Sequence, residues 1–268
     1  MASLELNSLR NSRVSKARRL ATRAFREADS KFLAEGPQAV REAIASGNVE
    51  EIFITADAMS RHTTIVESAR ARGVEVLLAS GEVVSALSGT VTPQGMVAVV
   101  RHLDQPLSGI AADARLVVVL SHARDPGNAG TIIRAADATG ADAIVLTNES
   151  VDPYNGKCVR ASAGSLFHLP IVRGVTTESA IEQLRTRGLR ILAADGTGSH
   201  DLFDLRDSGA LNAPTAWLFG NEAWGLPAEI RDLADEVVRV PIYGRAESLN
   251  LASAASVCLY ASAQAQRG

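Results

Sequence analysis

Three polar turns, each placed after an apolar run, carry the residue types most able to do chemistry in this chain. The first is N-x-G-x-x-x-R, with Asn128, Gly130 and Arg134. The second is the run LFGNEAWG at 218–225, and the third is VPIYGRAESLN at 240–250. Ligands of open α/β sheets bind beyond the carboxyl ends of the strands, and the glycines of the second turn let backbone approach a ligand. These turns are therefore where a binding or catalytic site is expected.

Each polar residue of these turns also has a purely structural alternative. Asn128 is a good N-cap for the helix that follows it, and Ser248 can cap the last helix, which would leave Asn250 inside the first turn. Arg134 fits a surface arginine that lays its aliphatic stem on apolar neighbours. Glu222 fits an acidic residue placed before a helix. The residue types alone leave both interpretations open.

Several classes of enzyme are disfavoured by the motifs that the sequence lacks. No G-x-x-x-x-G-K-[ST] is present, and no G-x-G-x-x-G opens a helix after a strand. No G-x-S-x-G nucleophile elbow occurs, and the five histidines have no metal-ligand spacing. These absences argue against a kinase, a Rossmann dehydrogenase, an α/β-hydrolase and a zinc enzyme, so no metal is expected.

Composition is that of a globular protein with one large domain or two ordinary ones. The 268 residues are 46% hydrophobic and 21% charged, with a net charge of −3 that gives no hint of nucleic acid. The segment 10–31 is nevertheless basic, with apolar residues at helical spacing, so it is either a solvated helix or one that faces a polyanion. Two cysteines outside any C-x-x-C favour a reducing compartment. With no signal peptide and no membrane span evident, a cytoplasmic protein is expected.

The order of predicted elements indicates two α/β domains. Strands alternate with helices up to about residue 101, and a polar, turn-rich stretch follows. The pattern then restarts with RLVVVLSHA, an apolar run typical of strands buried in a parallel sheet. We therefore expect a first domain at 1–103, a linker at 104–114 and a second domain with a mainly parallel sheet at 115–268.

The three turns in this order resemble the SpoU, or TrmH-like, family of RNA ribose 2′-O-methyltransferases of the SPOUT superfamily. The segment VRASAGSLFHLPI at 159–171 is similar to the middle of that family, and FLAEGPQAVREAI with TPQGMVAVV is similar to the small RNA-binding domain that often precedes the catalytic one. The resemblance thus covers nearly the whole chain. It implies a second domain tied into a deep trefoil knot, a feature that topology rules alone make very rare.

The resemblance also implies S-adenosylmethionine as methyl donor and a role for individual residues. The polar active-site residues would be Asn128, Arg134, Glu222, Ser248 and Asn250. The residues of the cofactor pocket would be Gly220, Val240, Ile242 and Leu249, with the loop at Asp195 and Gly196 as a further candidate. The candidates for RNA phosphate contacts are Arg18, Arg19, Arg23 and Arg160.

Methyl transfer to a hydroxyl requires alignment of the methyl group with the 2′-oxygen and removal of a proton. Arg134 is an awkward base because a guanidinium keeps its proton in proteins. Either Arg134, desolvated and polarised by an RNA phosphate, takes the proton, or it holds the phosphate while another group accepts the proton. We favour the second account, with Glu222 and Asn128 orienting Arg134.

The resemblance further implies a homodimer formed through the second domain. The last helix is expected to contribute Leu251, Ala255, Val257 and Leu259 to that contact or, alternatively, to the core of its own chain. The extra first domain favours ribosomal (23S) RNA as substrate. A transfer-RNA ribose methyltransferase and a non-catalytic RNA-binding assembly factor remain the alternatives.

Overall fold

The computed structural model describes residues 5–268 and divides into two compact units. The first unit comprises the chain up to Leu103 together with Asp152–His168, and the second comprises Asp104–Val151 and Leu169–Gly268. The first four residues of the expected first domain lie outside the described residues. The units differ from the expected domains in two places: 152–168 belongs with the first unit, and 104–114 belongs with the second.

The first unit is built on a four-stranded sheet with the order β1-β4-β2-β3. Elements are numbered in chain order. The strands are β1 (Lys31–Glu35), β2 (Val49–Ile54), β3 (Glu75–Leu78) and β4 (Met96–Arg101). The helices are α1 (Ser12–Arg19), α2 (Arg23–Asp29), α3 (Pro37–Ser46), α4 (Ala56–Arg61), α5 (Thr63–Ala71), α6 (Gly81–Leu87) and α8 (Gly156–Ala161). Strand β4 pairs antiparallel with β1 and β2, whereas β2 and β3 are parallel.

The basic segment forms two helices rather than one. Helix α1 ends at Arg19, α2 begins at Arg23, and Lys31 already lies in β1. The predicted apolar face of α1 is buried in the core of the unit, where Val14 and Leu20 belong to the same cluster as residues of β2, α6 and β4. The burial of one face leaves the other for charged residues, as expected for an amphipathic helix.

The segment at 152–168 is held to the first unit by buried polar and aromatic contacts. The Asp152 carboxylate accepts hydrogen bonds from the Arg26 guanidinium at 2.8 Å, and both side chains are 4% exposed. The ring of Tyr154 stacks on that of Phe32 with centroids 4.6 Å apart, and its hydroxyl accepts a hydrogen bond from the backbone N–H of Leu103. These contacts join residues far apart in the sequence, so periodicity could not predict them.

The second unit contains an eight-stranded sheet in which every pairing is parallel, with the order β10-β12-β9-β11-β6-β7-β8-β5. The strands are β5 (Asp104–Gln105), β6 (Leu116–Leu120), β7 (Ala143–Leu146), β8 (Ile171–Val172), β9 (Arg190–Ala194), β10 (His200–Asp201), β11 (Thr215–Phe219) and β12 (Glu236–Arg239). The helices are α7 (Pro126–Ala138), α9 (Thr177–Thr186), α10 (Leu202–Asp207), α11 (Ala228–Arg231) and α12 (Leu251–Arg267). Short 3₁₀ turns occur at 107–109, 165–167 and 210–212.

The stretch at 104–114 is part of the sheet rather than a free linker. Strand β5 pairs with β8 at the sheet edge, and the guanidinium of Arg173 binds the carboxylate of Asp104 through hydrogen bonds of 2.8 and 2.6 Å. Leu107 and Ile110 are buried in the same core as α9 and β9. The polar, turn-rich composition that suggested a linker is confined to the exposed positions of this stretch.

Helix α12 packs against α7 and β11 of its own chain. Two of the four residues expected at a dimer contact are therefore part of the intrachain core. Ala255 and Leu259 are fully buried within the chain, and the indole of Trp217 on β11 donates a hydrogen bond to Ser262 at 2.8 Å. The first two therefore cannot face a partner. Leu251 and Val257 stay partly exposed.

Four neighbouring strands of the sheet, β12, β9, β11 and β6, end at the same edge because they are parallel. The three polar turns and the loop at 195–198 follow these four strands. Strand β12 ends at Arg239, so Val240, Pro241 and Ile242 belong to the loop that follows it. The trefoil knot stays a prediction from the resemblance. Between residues 5 and 268, no helix is both long and apolar enough to cross a bilayer.

Candidate active site

A rigid hairpin follows β11 and presents the LFGNEAWG residues. Asn221 and Gly225 exchange backbone hydrogen bonds of 2.7 and 3.0 Å, which closes a tight turn. Gly225 has a φ of +74°, which favours glycine. A Cβ on Gly220 would lie 2.4 Å from the carbonyl carbon and oxygen of Gly225, so no other residue fits there. The turn is thus fixed by the close packing of its own backbone.

The carboxylate of Glu222 in this hairpin is anchored to the turn that follows β6. Its two oxygens accept hydrogen bonds from the backbone N–H of Arg124 at 3.1 Å and of Asp125 at 3.0 Å, and from the side-chain amide of Asn128 at 3.3 Å. Burial raises the pKa of Glu222, but these hydrogen bonds outweigh it and hold the pKa below its ordinary value. Glu222 is therefore a carboxylate at neutral pH.

Asn128 lies in the first turn of α7, where its side chain connects two loops. The N-cap of α7 is Asp125, whose carboxylate accepts the backbone N–H of Asn128 at 2.8 Å, so the prediction that Asn128 is the cap is wrong. Because Asp125 accepts the backbone N–H of Asn128, the side-chain amide of Asn128 is available for other contacts. Its Nδ2 donates to Glu222, and its Oδ1 accepts a hydrogen bond from Nδ2 of Asn250 at 3.0 Å.

Asn250, and not Ser248, is the N-cap of α12. Its Oδ1 accepts the backbone N–H groups of Ala252 at 2.9 Å and Ser253 at 3.3 Å. Asn250 therefore accepts with one end of its amide and donates to Asn128 with the other, which a carboxylate cannot do. Ser248 is exposed, and its hydroxyl makes no hydrogen bond to any part of the chain that the structure describes.

Arg134 lies six residues, about one and two-thirds turns, further along α7 than Asn128, and its side chain is exposed. Its guanidinium makes no hydrogen bond or ion pair with any residue of 5–268. Glu222 and Asn128 thus make no hydrogen bond or ion pair with Arg134 in the described chain, and their role in orienting it stays a prediction. Arg134 is a cation left available to a ligand.

The expected cofactor residues all lie at the carboxyl edge of the sheet. Ile242 and Leu249 expose 39% and 41% of their surface in a loop that also carries the exposed Tyr243. Val240 begins that loop directly after β12. The Asp195 carboxylate is held by the backbone N–H and hydroxyl of Thr197, at 2.9 and 2.6 Å, while the neighbouring Gly196 is exposed. Exposed apolar side chains beside close-packed backbone suit the binding of a planar nucleoside.

Two residues at this edge escaped the sequence analysis. His122, after β6, has a φ of +61°, which is unusual for a residue other than glycine. The indole of Trp224 lies edge-on to the His122 ring, with centroids 5.3 Å apart. A large aromatic inside a turn bounded by glycines was the signal that could have drawn attention to Trp224.

Most of the predicted RNA-contacting arginines are engaged by acidic residues of the first unit. Arg19 binds Asp29 through hydrogen bonds of 2.7–3.1 Å, and Arg23 lies 3.7 Å from Glu27. Arg160 binds Glu35 at 3.1 Å. The guanidinium of Arg18 is exposed and makes no ion pair with any part of the chain that the structure describes. The charge of the basic segment is therefore largely neutralised.

Arg160 also lines a polar cleft of about 310 Å³ in the first unit. The other residues that line this cleft are Glu35, Gly36, Gln38, Ala39, Thr90, Thr92, Gln94, Val159 and Ala163. Thr90, Thr92 and Gln94 of the α6–β4 loop and Gln38 of α3 give this lining two hydroxyls and two side-chain amides. No group of three or more His, Cys, Asp or Glu that could hold a metal ion occurs among the described residues.

Comparison with known proteins identifies the family. Residues 115–260 match the SpoU rRNA methylase family, and residues 11–98 match the MRM3-like substrate binding domain. The chain is 34% identical over 257 residues to the 23S rRNA (guanosine(2553)-2′-O)-methyltransferase RlmP of Bacillus subtilis, covering 96% of this chain and 98% of that one. The chain therefore belongs to the SpoU rRNA methylase family, and the predicted family and α/β fold class are confirmed.

Solved structures agree with this assignment over nearly the whole chain. An AdoMet-bound rRNA methyltransferase from Sinorhizobium meliloti has a TM-score of 0.86 at 35% identity, with 97% of each chain covered. The SpoU methyltransferase AviRb from Streptomyces viridochromogenes, in complex with AdoMet, has a TM-score of 0.84 at 31% identity, covering 95% of this chain and 98% of that one. The methyl donor expected from the sequence is present in both structures.

Proposed function

We propose that this protein transfers a methyl group from S-adenosylmethionine to the ribose 2′-hydroxyl of a nucleotide in 23S ribosomal RNA. The observation that carries the proposal is the continuous hydrogen-bonded connection from Asn250 through Asn128 to Glu222, at the carboxyl edge of the parallel sheet. It joins the three turns that the resemblance to ribose methyltransferases rests on. The relative from Bacillus subtilis, named as acting on 23S rRNA and similar over nearly all of both chains, supports the choice of RNA.

The residues at the ends of β11 and β12 fit the methyl donor. Gly220 and the exposed side chains of Ile242 and Leu249 provide backbone and apolar surface for an adenosine, and Asp195 has an exposed glycine beside it. When bound there, S-adenosylmethionine supplies an activated methyl group for in-line displacement. The protein's contribution is to hold the ribose hydroxyl in line with that group, which lowers the barrier by several kcal/mol.

The polar cluster would receive the ribose and its phosphate. Glu222 is held as a carboxylate by backbone donors, so its role is to fix Asn128 and the β6–α7 turn rather than to exchange protons. Arg134 is exposed and unpaired within the described residues, which suits a bidentate contact with an RNA phosphate. Water or another group would then accept the hydroxyl proton.

The first unit would contact the RNA beyond the target nucleotide. Arg18 is an unpaired cation within the described chain, and the cleft beside Arg160 offers hydroxyls and amides that suit RNA. The other three arginines, Arg19, Arg23 and Arg160, would bind RNA phosphates only if their ion pairs with acidic residues were broken. We therefore assign Arg18 the largest electrostatic share among the four predicted arginines.

We further propose that the protein acts as a homodimer formed through the second unit. We also propose that it acts in the cytoplasm, where ribosomes are assembled. Tyr260 on α12 is 57% exposed, and Leu251 and Val257 on the same helix are partly exposed. A large apolar side chain on an exposed helix suits a contact with a second copy. Light scattering of the purified protein, with Tyr260→Glu as the disrupting variant, tests this part.

Methyl transfer to separated RNAs tests the function. The protein is incubated with methyl-labelled S-adenosylmethionine and unmodified 23S, 16S or transfer RNA, and each RNA is digested with alkali. Label in alkali-resistant dinucleotides of 23S RNA alone is expected. Label confined to transfer RNA would identify a transfer-RNA enzyme instead. Binding of S-adenosylmethionine without label in any RNA would favour either a non-catalytic factor or a substrate present only in assembled particles. Incubation with ribosomal subunits distinguishes the two, because only the second would then give label.

A further inference from the structure

Trp224 exposes 54% of its surface next to the proposed active site. The chain has one other tryptophan, Trp217, which is fully buried and hydrogen-bonded to Ser262. A single exposed apolar side chain is ordinary on a protein surface and needs no ligand. The case for a ligand at Trp224 therefore rests on how firmly the side chain is held and on what surrounds it.

The support beneath Trp224 is rigid. The hairpin that carries it is closed by the Asn221–Gly225 backbone pair. The imidazole of His122 lies edge-on to the indole at 67°. The positive φ of His122 is held in place because its carbonyl accepts a hydrogen bond from the Asn221 side chain at 2.9 Å and its Nδ1 lies 2.9 Å from the hydroxyl of Ser121. Strained backbone that is held by several contacts occurs preferentially at functional sites.

The surroundings of Trp224 belong to the substrate side of the site. His122 is in the same turn as Arg124 and Asp125, whose backbone N–H groups hold Glu222, only two residues from Trp224. That turn leads into α7 with Asn128 and Arg134. Trp224 itself lies in the hairpin after β11, which begins with Gly220, a residue proposed for the methyl donor, but its indole contacts His122 on the β6 side. The aromatic face is thus next to the cluster proposed to receive the ribose.

We propose that Trp224, supported at its edge by His122, is the platform on which the base of the target nucleotide stacks. This inference rests on the proposed function. The base is attached to the ribose carbon adjacent to the one that bears the reacting hydroxyl, so a stacked base fixes the position of that hydroxyl. Proteins that bind single-stranded RNA commonly stack unpaired bases on aromatic side chains, and such stacking tolerates any base.

Fluorescence tests the stacking without requiring turnover. Short single-stranded oligoribonucleotides of adenylate and of uridylate are titrated into the wild-type protein and into Trp224→Phe. The RNA is expected to quench the emission of Trp224 in the wild type. The variant, in which only the buried Trp217 emits, is expected to show no change. Quenching by S-adenosylhomocysteine alone would place the cofactor on Trp224 and overturn the proposal, as would an emission that changes with protein concentration in the absence of RNA.

Kinetics tests the contribution to substrate binding. We expect Trp224→Ala to raise the KM for RNA by about 5- to 150-fold, which is the range for loss of one base–aromatic stack. Trp224→Phe retains an aromatic face and is expected to stay within about threefold of the wild type. S-adenosylmethionine affinity is expected to be unchanged in both variants. Leu233→Ala, which alters another exposed apolar side chain of the second unit, is the matched control and is expected to behave as the wild type.

Failure of this inference is distinguishable from failure of the proposed function. A wild type that methylates RNA, with a Trp224→Ala variant that has the same KM and kcat, would overturn the stacking role alone. A wild type that methylates no RNA would contradict the proposed function. In that case, quenching by the oligoribonucleotides would still indicate that bases stack on Trp224. Absence of quenching would contradict both the stacking role and the proposed function.

Discussion

The side-chain amide of Asn250 donates a hydrogen bond to Oδ1 of Asn128 at 3.0 Å, across 122 residues of sequence. The same Asn250 caps α12 with its oxygen. The start of the last helix and the first turn of α7 are thereby fixed to each other by one side chain. This dual role gives a structural reason for an asparagine immediately before a helix of small residues.

Replacing Asn250 by Asp is expected to separate its two roles. Asp caps helices as well as Asn does, so the stability of α12 should be retained. A carboxylate cannot donate to Asn128 and would oppose its oxygen, so methyl transfer should fall by about tenfold or more. Asn250→Ala should lose the cap as well and unfold about 1 kcal/mol more easily. Denaturant unfolding and single-turnover methylation measure the two effects. Full activity in Asn250→Asp would contradict the role of this hydrogen bond.

Glu222→Gln tests whether the carboxylate anchors the hairpin. Its two oxygens accept from three donors, whereas glutamine offers a single oxygen and would leave one backbone N–H of the 124–125 turn unpaired. We expect a loss of about 1 kcal/mol of stability at pH 7, after allowing for the partial exposure of this group.

The pH dependence of that difference follows from the pKa of Glu222, which the backbone hydrogen bonds hold below its ordinary value of about 4.3. A carboxyl with a lowered pKa contributes stability above its unfolded pKa and loses it as the pH falls through the folded pKa. The gap between wild type and Glu222→Gln should therefore be constant from pH 7 to about pH 5 and shrink below that. Urea unfolding across this range checks it. A gap that grows in acid would contradict it.

Arg134→Lys tests the proposed phosphate contact. Lysine keeps the charge but lacks the planar fork that binds a phosphate through two hydrogen bonds. We expect kcat/KM to fall by about tenfold or more, with unchanged S-adenosylmethionine affinity and a persisting salt dependence of RNA binding. Turnover close to that of the wild type would argue against a bidentate role. Arg72→Lys, which changes an exposed arginine of the first unit in the same way, is the control and is expected to behave as the wild type.

The sequence predicted the secondary-structure alternation and the edge of the sheet where the site lies, because both depend on local apolar runs and on where polar turns follow them. It placed Asn128, Glu222 and Asn250 together through the resemblance. The caps were misassigned because several residues able to cap stand together before each helix, and only the structure shows that Asp125 and Asn250 accept the capping hydrogen bonds. Trp224 and His122 were missed because their positions depend on a bridge between Asn221 and Gly225.

The domain boundaries were harder to predict for the same reason. The segment Asp152–His168 follows β7 of the second unit in sequence but packs with the first unit. The determinants are the buried Arg26–Asp152 pair and the Tyr154 stack on Phe32, which join residues more than a hundred positions apart. No periodic pattern in either segment records such a pairing.

The Arg26–Asp152 pair supports the final prediction, which concerns stability. Both side chains are about 4% exposed, and the Arg26 guanidinium also donates to the carbonyls of Leu20 and Ala21 at the end of α1. Removing one partner leaves the other charge buried without compensation, so Asp152→Leu should destabilise the first unit by about 3–5 kcal/mol. The double variant Arg26→Met with Asp152→Leu removes both charges and should recover most of that loss. Thermal unfolding of the wild type, both single variants and the double variant gives the coupling energy. Additive losses in the double variant would show that the pair does not act as a unit.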